Sequence, residues 1–199
     1  MLGQMLSRLI AIVVPSLCVA CGADAGRAAP LCRECRAQMV APPFPYEGPA
    51  GPMVRALKFG GRTAVAETMA AQIVANAPPE LVRGAVVPVP VHPVHRRRRG
   101  LDHTAALARA VARRAGLPLA QCLVRTGDPR PQVGRGRRAR MRGPAGLIAV
   151  HSEVTVPAEA LLLDDVITTG ATLAACATAL RDAGCQHITP IAYARTTAR

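Results

Sequence analysis

Apolar positions along the chain alternate between helix-like and strand-like spacing. A helical pattern covers residues 63–77 and stops before Pro78 and Pro79, since proline cannot continue a helix. The β-branched run at 85–91 contains Pro88 and Pro90. These bar a regular central ladder along its whole length, so its end is expected to be loop. Asp102 is placed to cap a second helix that runs to Ala115 and stops at Gly116. In that helix Leu107 and Val111 face inward at i, i+4, while Arg109 and Arg113 share another face. A short helix is expected around Met53, Val54 and Leu57, and weak strands at 121–125 and 147–150.

The strongest strand, built on Leu161, Leu162 and Leu163, is expected to end in two adjacent acids. A short hydroxyl-rich loop and an alanine-rich helix to Ala183 follow, and a last strand covers 188–193. Strands alternating with helices predict an α/β fold, a mainly parallel sheet flanked by helices. There is no internal repeat.

Composition sharpens this picture. The 199 residues include no tryptophan, two phenylalanines and two tyrosines, so the core must be aliphatic. So few aromatics weigh against single-stranded nucleic-acid binding by base stacking. The net charge is +13, and residues 92–116 and 125–142, with seven arginines and one acid each, supply +12 of it. Such a distribution points to a polyanionic partner, pyrophosphate or nucleic acid. The apolar run at 9–14 is interrupted by Pro15 and is too short to span a bilayer. A short amphipathic helix packed on the body of a cytoplasmic protein is expected there, with no membrane span.

Cys18, Cys21, Cys32 and Cys35 form two C-x-x-C knuckles separated by ten residues. Four thiolates in a tetrahedron suit structural zinc, which would hold this segment together without an open catalytic position. An iron–sulfur centre and, in a secreted protein, disulfides are the alternatives. Cys122, Cys176 and Cys185 read as buried small hydrophobes. The Pro-rich connector at 41–45 divides the chain into a ribbon over 1–41, including the N-terminal helix, and a larger domain over 42–199. His92, His95 and His103 read as surface or capping residues, because no thiol or serine is placed to pair with them.

The segment 160–173 carries the most chemistry. Asp164 and Asp165 can accept hydrogen bonds from ribose hydroxyls, while Thr168, Thr169, Gly170, Ala171 and Thr172 can surround a phosphate at a helix N-terminus. This stretch resembles the phosphoribosyl-pyrophosphate (PRPP) motif of the type I phosphoribosyltransferases. Three further stretches resemble the ComF family of competence proteins, also described as GntX-like, which joins a zinc ribbon to a phosphoribosyltransferase domain. They are the valine-proline strand at 87–93 with the basic loop at 96–100, the element Leu57-Lys58-Phe59-Gly60-Gly61-Arg62, and the arginine-rich loop with Pro131-Gln132.

The resemblance implies a type I phosphoribosyltransferase-like domain that binds PRPP with magnesium and transfers phosphoribosyl to a nitrogen nucleophile. Arg96, Arg98, Arg99 and Lys58 are the candidates for pyrophosphate. Arg125, Gln132, Arg137 and Arg138 are the candidates on a flexible loop. The alternative it implies is a non-catalytic competence factor that assists uptake or processing of single-stranded DNA, alongside DNA-uptake proteins. The chain departs from the family at Leu101-Asp102-His103, Arg140 and Ala145, where an acceptor base or DNA would touch it.

Overall fold

The computed structural model describes residues 17–26, 29–37, 39, 42–60, 63–92, 102–125 and 148–196. The expected N-terminal helix, the basic loop at 96–100 and most of the arginine-rich stretch at 125–142 lie outside them.

After a turn-rich segment, α1 (Arg33–Ala37) carries Cys35, and β1 (Phe44–Pro45) enters the main body. An irregular turn at Tyr46–Ala50 leads to α2 (Gly51–Gly60) and α3 (Thr63–Asn76). Next come β2 (Ala85–Pro88), α4 (His103–Ala115), β3 (Leu123–Arg125) and β4 (Ile148–Val150). The chain then forms β5 (Glu159–Ile167), α5 (Ala171–Asp182) and β6 (His187–Arg195).

The four strands in the order β1-β6-β5-β2 all pair in parallel. β2 stops at Pro88, where the prolines were expected to end it. Around α4 the local signals act as read: Asp102 Oδ1 accepts the Ala105 amide at 2.9 Å, and Gly116 takes φ +68° to close the helix. β3 and β4, by contrast, pair antiparallel in a sheet of their own. Both strands have three residues, too few for their apolar pattern to specify a partner.

The buried residues form two clusters, one on each face of the main sheet. Met53, Val54 and Leu57 of α2, the inner face of α3, and Leu107 and Val111 of α4 pack with Leu161 and Leu163 of β5. On the opposite face Leu173, Cys176 and Leu180 of α5 meet Ala160 and Leu162 of β5, with Cys122, Leu123 and Ile148 from the hairpin. Residues 161–163 are fully buried, as expected for a parallel strand covered on both faces. Cys122, Cys176 and Cys185 are buried, as their reading as small hydrophobes requires.

Leu31, Cys32, Cys35 and Met39 belong to the same cluster as the helices α2–α4. A buried polar chain reinforces that junction. The Tyr193 hydroxyl donates to Gln72 Oε1 at 2.7 Å, and Gln72 Nε2 donates to Met39 Sδ at 3.2 Å. Tyr193 also meets Phe44 edge to face, with ring centroids 5.2 Å apart. Among the described residues no helix is long and apolar enough to cross a membrane.

Candidate functional site

The acidic doublet lies inside β5 rather than at its end. Val166 and Ile167 continue the strand because β6 reaches Arg195 and supplies them with partners, Ala194 and Arg195. Successive side chains of a strand point to opposite faces of its sheet, and the surroundings of the two acids differ accordingly.

Asp165 faces the α2–α4 layer and is 4% exposed. Its Oδ2 lies 3.0 Å from Lys58 Nζ, in the last turn of α2, and 3.3 Å from His103 Nε2, in the first turn of α4. The structure therefore corrects the reading of His103 as a surface or capping residue. Asp102 does the capping, and His103, one position on, is buried against β5 with 4% exposure. His92 is buried too.

Asp164 is partly exposed, and one of its oxygens accepts the Asp165 amide at 2.8 Å. Burial, followed by the negative charge of Asp165, pushes its carboxyl up to about 7, against the smaller opposing effects of the Asp165 amide and Lys58. On the α5 side, burial and then the charge of Asp164 push the Cys176 thiol up to about 12, while Arg125 acts in the opposite sense. Arg125 ends β3, so the β3–β4 pair carries the root of the arginine-rich segment into the electrostatic neighbourhood of Cys176.

The loop after β5 exposes Thr168 and Thr169. Gly170 sits at φ +77° and ψ −2° as the N-cap of α5. A Cβ there would meet nothing within 4 Å, so the glycine serves the backbone conformation rather than a close approach. The Ala171 amide donates to Thr169 Oγ1 at 3.3 Å, which folds the loop back over the helix start. A glycine N-cap offers no side-chain acceptor, so the remaining first-turn amides of α5, beginning with Thr172, are left for water or an anion. A groove of about 920 Å³ opens beside Thr168, Thr169 and Gly170, and Arg181 of α5 and Arg195 of β6 also line it. Neither arginine stood out in the sequence. Both lie at element ends, and only the packing of α5 beside β6 brings them to one groove.

No protein-family model matches the chain, and no curated protein does. Among solved structures it is similar to one described as the structure of the allosteric regulatory enzyme of purine biosynthesis, at 18% identity and a TM-score of 0.46. The likeness covers 70% of this chain and 30% of that one, so the chain spans under a third of that protein's length.

The four N-terminal cysteines converge. The Sγ atoms of Cys18, Cys21, Cys32 and Cys35 all lie within 4.8 Å of one another, with Cys21 and Cys32 at 3.7 Å. Tetrahedral zinc at its usual sulfur distance needs an S···S edge of about 3.8 Å. Burial raises the Cys18 thiol, but backbone hydrogen bonds from Cys32, Cys21 and Ala20 outweigh it and bring the group down to about 6. Burial and the neighbouring sulfurs push Cys35 up. Four thiols so close together, one already inclined to ionise, are positioned to bind a metal ion.

Of the other residues singled out from the sequence, Lys58 is thus brought to the doublet, and Arg125 to Cys176 on the α5 face. Arg96, Arg98, Arg99, Gln132, Arg137 and Arg138 lie outside the described residues, as does most of the positive charge behind the DNA reading.

Proposed function

We propose that this chain binds PRPP at the β5–α5 junction and transfers its phosphoribosyl group to a nitrogen nucleophile, releasing pyrophosphate. One observation carries the reading. A partly exposed carboxylate, Asp164, is followed after three residues by a hydroxylated loop that opens onto a helix start with no side-chain cap. A pentose 5-phosphate offers the complementary groups in the same order, hydroxyls for the acid and a terminal dianion for the amides.

In the reaction the bond from C1 to the pyrophosphate oxygen breaks and a C1–N bond forms, and pyrophosphate leaves with the electron pair. Arg125 and the arginines rooted beside it would stabilise the growing charge of the leaving group. Magnesium would enter with the ligand's own pyrophosphate, and when bound it supplies further neutralisation of that charge.

The cysteine cluster completes the proposal as a structural zinc site. ComF-type membership belongs to it as well, supported by the order of the sequence motifs, and a cytoplasmic location goes with that membership.

Calorimetry with PRPP and magnesium tests this reading, with thermal melting as the companion. Saturable binding is expected. Ligand at about a hundred times its Kd should raise Tm by roughly 5–11 °C, and release of pyrophosphate should appear when the correct acceptor is added. No heat and no shift at millimolar PRPP would contradict it.

A further inference from the structure

The doublet invites the assumption that both acids grip the pentose together. The geometry points to a division of labour instead: we infer that Asp164 alone meets the sugar, while Asp165, clamped by Lys58 and His103, is a positioning residue. This rests on the proposed phosphoribosyl site and assigns its carboxylates.

Three observations support the division. First, the two side chains leave β5 toward different elements. The charge of Asp164 reaches Cys176 of α5, while Asp165 reaches Lys58 of α2 and His103 of α4. Past them the alternation is broken, with Val166 packed on the α2–α4 cluster and Ile167 on the α5 cluster. Second, the two environments are unlike. Asp164 shares the α5 face with the phosphate loop's helix and is partly exposed, whereas Asp165 is 4% exposed within the α2–α4 layer. Third, Asp165 Oδ2 stands at ion-pair distance from Lys58 Nζ, 3.0 Å, and His103 Nε2, 3.3 Å, drawn from two different helices, although neither contact has hydrogen-bond geometry. Turning that carboxylate toward a ligand would forfeit both contacts and leave the Lys58 ammonium without its partner.

Lys58 changes role on the same grounds. Its side chain is 23% exposed and its ammonium is engaged by Asp165, so it acts through the doublet rather than on pyrophosphate. The clamp holds the ends of α2 and α4 to β5 at one point. That point is one residue from Asp164 and three from Thr168, so the clamp fixes the attitude of both. Lys58 and His103 are accordingly positioning residues for Asp164 and the loop.

The test compares D164N, D165N, K58M, D165N/K58M and D164N/K58M in the full chain with its metal, by melting and by calorimetry with PRPP and magnesium. D164N should weaken binding about 10–150-fold, the loss of a charged acceptor. D165N should lower Tm by roughly 5–15 °C, because it strands a cation among buried groups. Adding K58M removes that cation. D165N/K58M should regain much of the lost Tm. K58M and D165N/K58M, which both lack the clamp, should weaken binding to a similar degree, and D164N/K58M should bind no better than D164N.

A folded K58M that binds as well as the wild type, while D165N/K58M loses binding as D164N does, would show that Asp165 touches the ligand, and the division of labour falls. Additive melting effects of K58M and D165N would remove the clamp, whatever the ligand does. A wild type that ignores PRPP sinks the transferase reading instead, and the melting cycle still decides the clamp.

Discussion

Replacing Cys32 and Cys35 together by serine is expected to abolish metal binding and lower Tm by at least about 10 °C, since structural zinc contributes free energy comparable to the stability of a whole domain. The size of the effect follows from where the site sits. Cys32 and Cys35 are buried in one cluster with Leu31, Met39 and the inner faces of α2, α3 and α4. Loss of the metal therefore frees apolar surface of the main core as well as a terminal ribbon. Prolonged chelation of the native protein should act in the same direction. Metal content by atomic emission and limited proteolysis check it: one zinc per wild-type chain, and cleavage within 17–39 appearing only in the variant. A metal-free variant with unchanged melting and no new cleavage would show that the cysteines hold nothing of structural weight.

Asp164→Asn is expected to make the ligand-free protein more stable while it loses the ligand. The carboxyl of Asp164 is pushed from its ordinary 3.8 up to about 7 by burial and by Asp165. A group whose folded value is raised binds its proton more tightly in the folded state. Its contribution to stability thus falls as pH rises from about 4 to about 7, and stays at the lower level above that. Asparagine keeps the shape and has no charge to bury. The variant should match the wild type near pH 4 and exceed it above pH 7 by several degrees, in keeping with the usual conflict between a charged site and a relaxed fold. Melting curves at pH 4.5 and 7.5 measure the difference. A variant less stable than the wild type at pH 7.5 would mean that Asp164 is satisfied by partners in the folded protein and is not held for a ligand.

Much of this arrangement could be read from the sequence wherever the signal is local. Asp102 and Gly116 bracket α4 through a cap and a left-handed residue that need no distant partner. Pro88 limits β2 by its missing donor, and the spacing of Cys18, Cys21, Cys32 and Cys35 sets a cluster that the fold closes. The parallel sheet followed from the alternation of strands and helices. What escaped the sequence depends on pairing across the chain. β5 passes beyond its acids because β6 happens to reach Arg195 beside it. His103 is a core residue because α4 docks its first turn against β5, and nothing between 95 and 105 announces that. Lys58 and Asp165 stand more than a hundred positions apart, and their contact exists only once α2 lies over β5. The antiparallel hairpin was likewise beyond the apolar pattern of two three-residue strands.

The most direct measurement is a crystal structure of the intact chain with PRPP and magnesium. The account predicts the 5-phosphate within about 3 Å of the amides that open α5, the ribose hydroxyls on Asp164, and Asp165 still seated on Lys58 and His103. A ligand bound elsewhere, with water alone at 168–172, would contradict it.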